Sequence, residues 1–97
     1  MSYGFHPAAE AEHLESVAFF ESKRPGLGAS YLAEFERIMR TVCDAPHRYP
    51  VEKQPNVRRI RMKRFPFAVL FREASGSVQV LAVAHSRRRP QYWLGRL

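Results

Sequence analysis

The sequence predicts an α+β fold: a helical hairpin packed on one face of a small, mostly antiparallel four-stranded sheet, in the order β-α-α-β-β-β. Three observations carry this. Apolar residues recur at helical spacing between Pro7 and Asp44. From Val57 the period changes to two, as strands require. The charge divides along the same line. Residues 1–50 hold five Lys/Arg and seven Asp/Glu, net −2, and residues 51–97 hold eleven and two, net +9, which together give the formal +7. Helical and strand segments that separate along a chain build helices on one face of a sheet. A chain of 97 residues suggests one domain, residues 1–97.

Tyr3 and Phe5 stand at alternate positions in residues 2–6 and fit a brief edge strand. Pro7 suits the first turn of a helix, where a missing N–H costs nothing. Glu10 and Glu12 suit the positive end of the helix dipole. This first helix is expected from Pro7 to about Lys23, with Ala11, Leu14, Val17 and Ala18 as its apolar stripe and Phe19 and Phe20 extending it. Pro25-Gly26 stops it. A second helix is expected from Gly28 to about Asp44, with Tyr31, Leu32, Phe35, Ile38, Met39 and Val42 on one side. The turn Pro25-Gly26-Leu27-Gly28 is too short for anything but an antiparallel hairpin.

Residues 46–56 contain three prolines and read as an irregular connection. The second strand is expected at Arg59–Arg64. Ile60 and Met62 point one way, while Arg59, Arg61 and Lys63 point the other. Phe67–Phe71 and Val78–Ala84 are apolar on both faces and suit central strands. Ala74-Ser75-Gly76-Ser77 is a hairpin turn between them. The sheet face away from the helices should therefore be basic. Arg59, Arg61, Lys63, Arg72, Arg87, Arg88 and Arg89 are its candidate anion-binding residues, and a localised positive face favours an anionic partner.

Composition excludes several classes. Cys43 is the lone cysteine, so no internal disulfide forms; it reads as a small helix residue near the core. His6, His13, His47 and His85 are scattered without metal-ligand spacing, and His6 and His13 read as surface or capping residues. No metal and no cofactor are expected. No apolar stretch approaches the ~18 residues of a membrane span, and no signal peptide is visible. The expected location is cytoplasmic.

Four motifs bring the chain close to a known family. They are Arg24-Pro25-Gly26-Leu27-Gly28, Ala45-Pro46-His47-Arg48-Tyr49-Pro50, Arg59-Ile60-Arg61-Met62-Lys63-Arg64-Phe65-Pro66-Phe67, and Val80–His85 followed by Arg87-Arg88-Arg89-Pro90 and Tyr92-Trp93. In this order and at this length the chain resembles the RelE/ParE superfamily, toxins of bacterial type II toxin–antitoxin modules and plasmid-stabilization systems. The resemblance implies the same β-α-α-β-β-β fold. It implies a cognate acidic antitoxin whose flexible tail meets the basic face, and higher-order toxin–antitoxin assembly.

The superfamily splits by target. ParE-like members inhibit DNA gyrase; RelE-like members cut messenger RNA on the ribosome. The RelE-like alternative needs a base for the ribose 2′-OH, cations for the phosphoryl charge and an acid for the leaving oxygen. Arg61, His85 and Tyr92 are the catalytic candidates on that reading, Tyr92 matching the position of a functional tyrosine in those relatives. Ser86, however, stands where they carry an arginine after the fourth strand, and Lys53 and Lys63 are the only nearby lysines. This departure favours the ParE-like subgroup. Each residue also has a structural reading: His85 orients the loop after its strand, Tyr92 and Trp93 form a lid over the core, and the arginines bind antitoxin carboxylates. A basic domain that binds antitoxin without toxicity is the third reading.

Overall fold

The computed structural model describes residues 1–97. Strand β1 is Tyr3–Phe5, helix α1 Pro7–Lys23 and helix α2 Leu27–Asp44. Strands β2 (Val51–Lys53), β3 (Val57–Arg61), β4 (Phe67–Ala74) and β5 (Ser77–His85) follow. They form one five-stranded sheet in the order β1-β5-β4-β3-β2. Only β1 runs parallel to its neighbour; the other pairings are antiparallel. The α+β class and the helical hairpin agree with expectation, but the sheet has five strands rather than four. The additional one, β2, lies inside the proline-rich connection. It is three residues long, irregular in register and paired at the sheet edge, where prolines are tolerated.

Helix α1 begins and ends where its punctuation says. The His6 side chain caps it, Nδ1 accepting the Ala8 N–H at 3.0 Å. Which face it buries differs from expectation. Ala9, His13 and Ser16 are buried, while Ala11 and Ala18 are exposed and Leu14 is 60% exposed. The true stripe, Ala9–His13–Ser16–Phe20, has helical spacing but two polar members, so apolar counting chose the neighbouring face. His13 is thus neither a surface nor a capping residue: its ring packs 4.3 Å from Phe35 and stacks on Phe5. Burial pushes its pKa down, against the pull of Glu36 and Glu10, so the ring is neutral at neutral pH.

In α2, Tyr31, Phe35, Met39 and Val42 are all fully buried, as its stripe predicts. They meet Val69, Phe71, Val78, Val80 and Val83 from the sheet, and Met62 and Phe65 from the connection between β3 and β4, in one core. The helices approach closely at Gly28, where an added Cβ would sit 2.7 Å from the Val17 carbonyl oxygen. Glu21 completes the turn, its carboxylate accepting the N–H groups of Gly26 and Gly28 at 3.0 and 3.1 Å.

The β3 strand ends at Arg61, three residues before the expected Arg64. The Met62 N–H still donates to the Phe67 carbonyl at 2.9 Å. The chain then turns, because the buried Glu34 of α2 takes the Lys63 N–H at 2.6 Å. The hairpin from β4 to β5 turns through Ser75 and Gly76, both with positive φ, the geometry that matches strand twist. Further along β5 the register slips between Leu70 and Phe71 of its partner. This bulge places Leu81 and Ala82 together in a second, smaller core on the sheet's other face. Trp93 closes that core and is 2% exposed.

Candidate functional site

The second face of the sheet carries the site. Strand alternation sends Val57, Arg59 and Arg61 away from the helices, with Arg59 opposite Leu70 and Arg61 opposite Ala68. At the end of β5, His85 pairs with Phe67. The chain then reverses: the Ser86 N–H donates to the Pro66 carbonyl, and the Arg88 N–H to that of His85. The segment after Arg89 returns over the sheet and inserts Trp93 into the second core. Between β3 and this returning segment lies a cleft of about 400 Å³ with basic walls and an apolar floor.

The cleft gathers Arg59, Arg61, His85, Arg88, Arg89 and Tyr92. Lys63 does not line it, because the chain has left the strand by then. Arg72 lies further along β4, with its Nε on Gln79 Oε1 at 3.1 Å, and Arg87 is on the outer surface of the turn. Arg59 is partly neutralised by Glu52, 3.7 Å away. Arg88 likewise lies 3.9 Å from Glu12, while Arg61 and Arg89 make no ion pair and keep the mouth cationic.

The conditional catalytic set shares this cleft but is partly engaged. His85 Nδ1 accepts the Arg87 N–H at 3.0 Å, and the ring meets Phe67 edge-on at 5.0 Å. His85 therefore does orient the loop that follows it. The Tyr92 hydroxyl donates to Glu12 Oε2 at 2.7 Å. Burial, then Glu12, push its pKa far above the ordinary phenol value, so the proton is held tightly. His85 Nδ1 and the Tyr92 hydroxyl are thus both engaged within the protein.

Two residues of this region escaped the sequence reading. Glu12, on α1, receives the Val83 N–H at 3.0 Å, the Tyr92 hydroxyl, and both Nη atoms of Arg96 at 3.0 and 2.9 Å. Burial alone would raise its pKa, but Arg96, Tyr92 and the Val83 amide outweigh it and hold the carboxyl below its usual value. Arg96 is raised in turn by Glu12, against its own desolvation. The pair lies 84 residues apart, and no spacing rule connects them.

The family model described as ParE toxin of type II toxin–antitoxin system, parDE, matches residues 3–90. The chain belongs to this ParE toxin family. Among solved structures, a chain of the chromosomal ParDE TA system from P. aeruginosa shares its fold, with TM-score 0.74 and 17% identity, over 88% of this chain and 95% of that one. No curated protein matches the sequence. The ParE match takes in Glu12, Arg59, Arg61, His85, Arg88 and Arg89, while Tyr92, Trp93 and Arg96 lie beyond its last residue. No helix is long and apolar enough to cross a membrane.

Proposed function

We propose that this ParE-family chain is the toxin of a type II module, that a cognate acidic antitoxin neutralises it in the cytoplasm, and that it acts by binding and inhibiting DNA gyrase. The family match over residues 3–90 is the observation that carries the reading. The site supports a binding mode of action. Its arginines form a cationic cleft, and its tyrosine proton is held by a carboxylate rather than offered to a substrate. The same cleft is the natural seat for the antitoxin's acidic segment, by charge complementarity with the +9 half of the chain. Arg59, Arg61, Arg88 and Arg89 would contact that segment, and Lys63, Arg72 and Arg87 would add to the field around it.

The test is DNA supercoiling by purified gyrase. The reading expects inhibition by excess protein and its reversal by the co-expressed antitoxin; full supercoiling at toxin excess would overturn it. One observation keeps the RelE-like reading as a second: Arg61 and His85 line one cleft. That reading expects cuts at discrete codon positions in ribosome-bound message, and their absence by primer extension removes it.

A further inference from the structure

We propose that Glu12 is the positioning residue of the basic cleft, acting through Tyr92 and Arg88 to set the wall that an acidic segment meets. The inference rests on the reading of the cleft as an antitoxin site.

Strand β1 pairs with β5 only at Val78–Val80, and the His6 N–H closes that pairing on the Val80 carbonyl. Beyond this point β5 has no neighbouring strand on its outer edge. Two side chains replace one. Glu12 Oε1 takes the Val83 N–H at 3.0 Å, and Arg96 Nη1 donates to the Leu81 carbonyl at 3.0 Å. The same carboxylate then reaches across to the returning segment. It accepts the Tyr92 hydroxyl at 2.7 Å and lies 3.9 Å from Arg88 Nη1. The Arg88 guanidinium sits over the Tyr92 ring, 3.8 Å from its centroid. Tyr92 and Arg88 line the cleft; Glu12 does not. Its influence on a ligand must therefore pass through them. Trp93, next to Tyr92 and buried in the second core, is carried by the same attachment.

Two physical readings of Glu12 predict opposite signs. As a mere negative charge near a cationic cleft, it weakens anion binding, and its neutralisation should tighten it. As the group that fixes Arg88 and Tyr92, it strengthens binding, and its neutralisation should weaken it, because a guanidinium that must first be ordered binds less well.

The experiment measures binding of a fluorescein-labelled oligo-glutamate peptide by anisotropy, at fixed ionic strength, to the full chain and its variants. Trp93 is the only tryptophan, so its emission reports directly on the wall. Glu12→Gln is expected to weaken binding about tenfold and to red-shift Trp93 emission. Tyr92→Phe keeps the ring beneath Arg88 but loses the phenol's bond to Glu12, and should weaken binding about threefold. This variant carries the test if Glu12→Gln does not fold. Gly28→Ala, which disturbs the distant helical hairpin, should leave peptide affinity unchanged and so separates positioning from loss of stability. Peptide binding by Glu12→Gln as tight as wild type or tighter, or an unmoved Trp93 emission, overturns the proposal. Failure of the wild-type protein to bind the peptide would instead remove the antitoxin reading of the cleft. In that case the Trp93 emission of Glu12→Gln still decides whether Glu12 holds the wall.

Discussion

At Gly28 two effects of comparable size oppose each other. Alanine is favoured over glycine inside a helix by about 1 kcal/mol, and Gly28 is inside α2. Yet its Cβ would lie 2.7 Å from a backbone oxygen, which cannot rotate away as a side chain does. Overpacking of this kind costs roughly 1–3 kcal/mol, so sterics should win. Gly28→Ala is expected to lower the melting temperature by about 5 °C or more, whereas Gly95→Ala, with open space around the new methyl, should leave it unchanged. A thermal melt that ranks the two the other way refutes the close-approach argument. His13 gives a second expectation at this scale. Burial depresses its pKa below the ordinary 6.5, so the unfolded chain takes up a proton that the folded chain refuses. Stability should be intact above pH 6.5 and decline as pH falls towards the folded value. His13→Phe, an aromatic of similar shape, should flatten that part of the denaturation profile. An unchanged slope in mildly acid solution would show that the ring is not held neutral.

The C-terminal segment is the element whose behaviour depends most on a single group. Glu12 has a folded pKa below its ordinary 4.5. Its contribution is therefore present above pH 4.5 and is lost as pH falls through the lower, folded value. Its loss begins only below pH 4.5, whereas that of His13 begins below pH 6.5. Trp93 emission should shift to the red in the lower window, while Glu12→Gln should show the shifted emission at neutral pH and no further acid step there. A common acid transition in both proteins would place the control elsewhere. The elements themselves were unequally legible in the sequence. Pro7 and Pro25-Gly26 bound α1 because each fixes a backbone choice locally, and Ser75-Gly76 marks the β4–β5 turn for the same reason. The buried face of α1 was not legible, since burial of His13 and Ser16 is decided by what β5 and α2 present to them. Strand β2 was hidden because Pro50 and Pro55 flank a pairing that only β3 can supply. In the site, the basic face of β3 followed from alternation alone. The attachment of Tyr92 and Arg96 to Glu12 did not, because it is a contact between the first helix and the end of the chain.

Over the whole molecule the charge separation sets how a partner arrives. The helical half carries net −2 and the sheet half +9, so the molecule has a direction in the field of an acidic partner. The cleft arginines are partly exposed, with the Arg59 and Arg88 side chains 46% and 52% accessible. Exposed charges are screened over about 8 Å at physiological ionic strength and act more on association than on the strength of the final complex. Association of the toxin with an acidic antitoxin segment should therefore slow by about tenfold between low and near-physiological salt, with dissociation changing far less. Replacing Arg61 and Arg89 with alanine should reduce the association rate and flatten its salt dependence. The same two substitutions at Arg37 and Arg40, on the acidic helical half, remove equal charge from the wrong side and should do little. Stopped-flow measurement of wild type and the two double variants, each at low and near-physiological salt, decides the matter. Equal losses from both pairs would mean that net charge alone steers the encounter. A loss confined to Arg61 and Arg89 would tie the steering to the sheet face, where strand alternation on β3 and the turn after β5 concentrate the arginines.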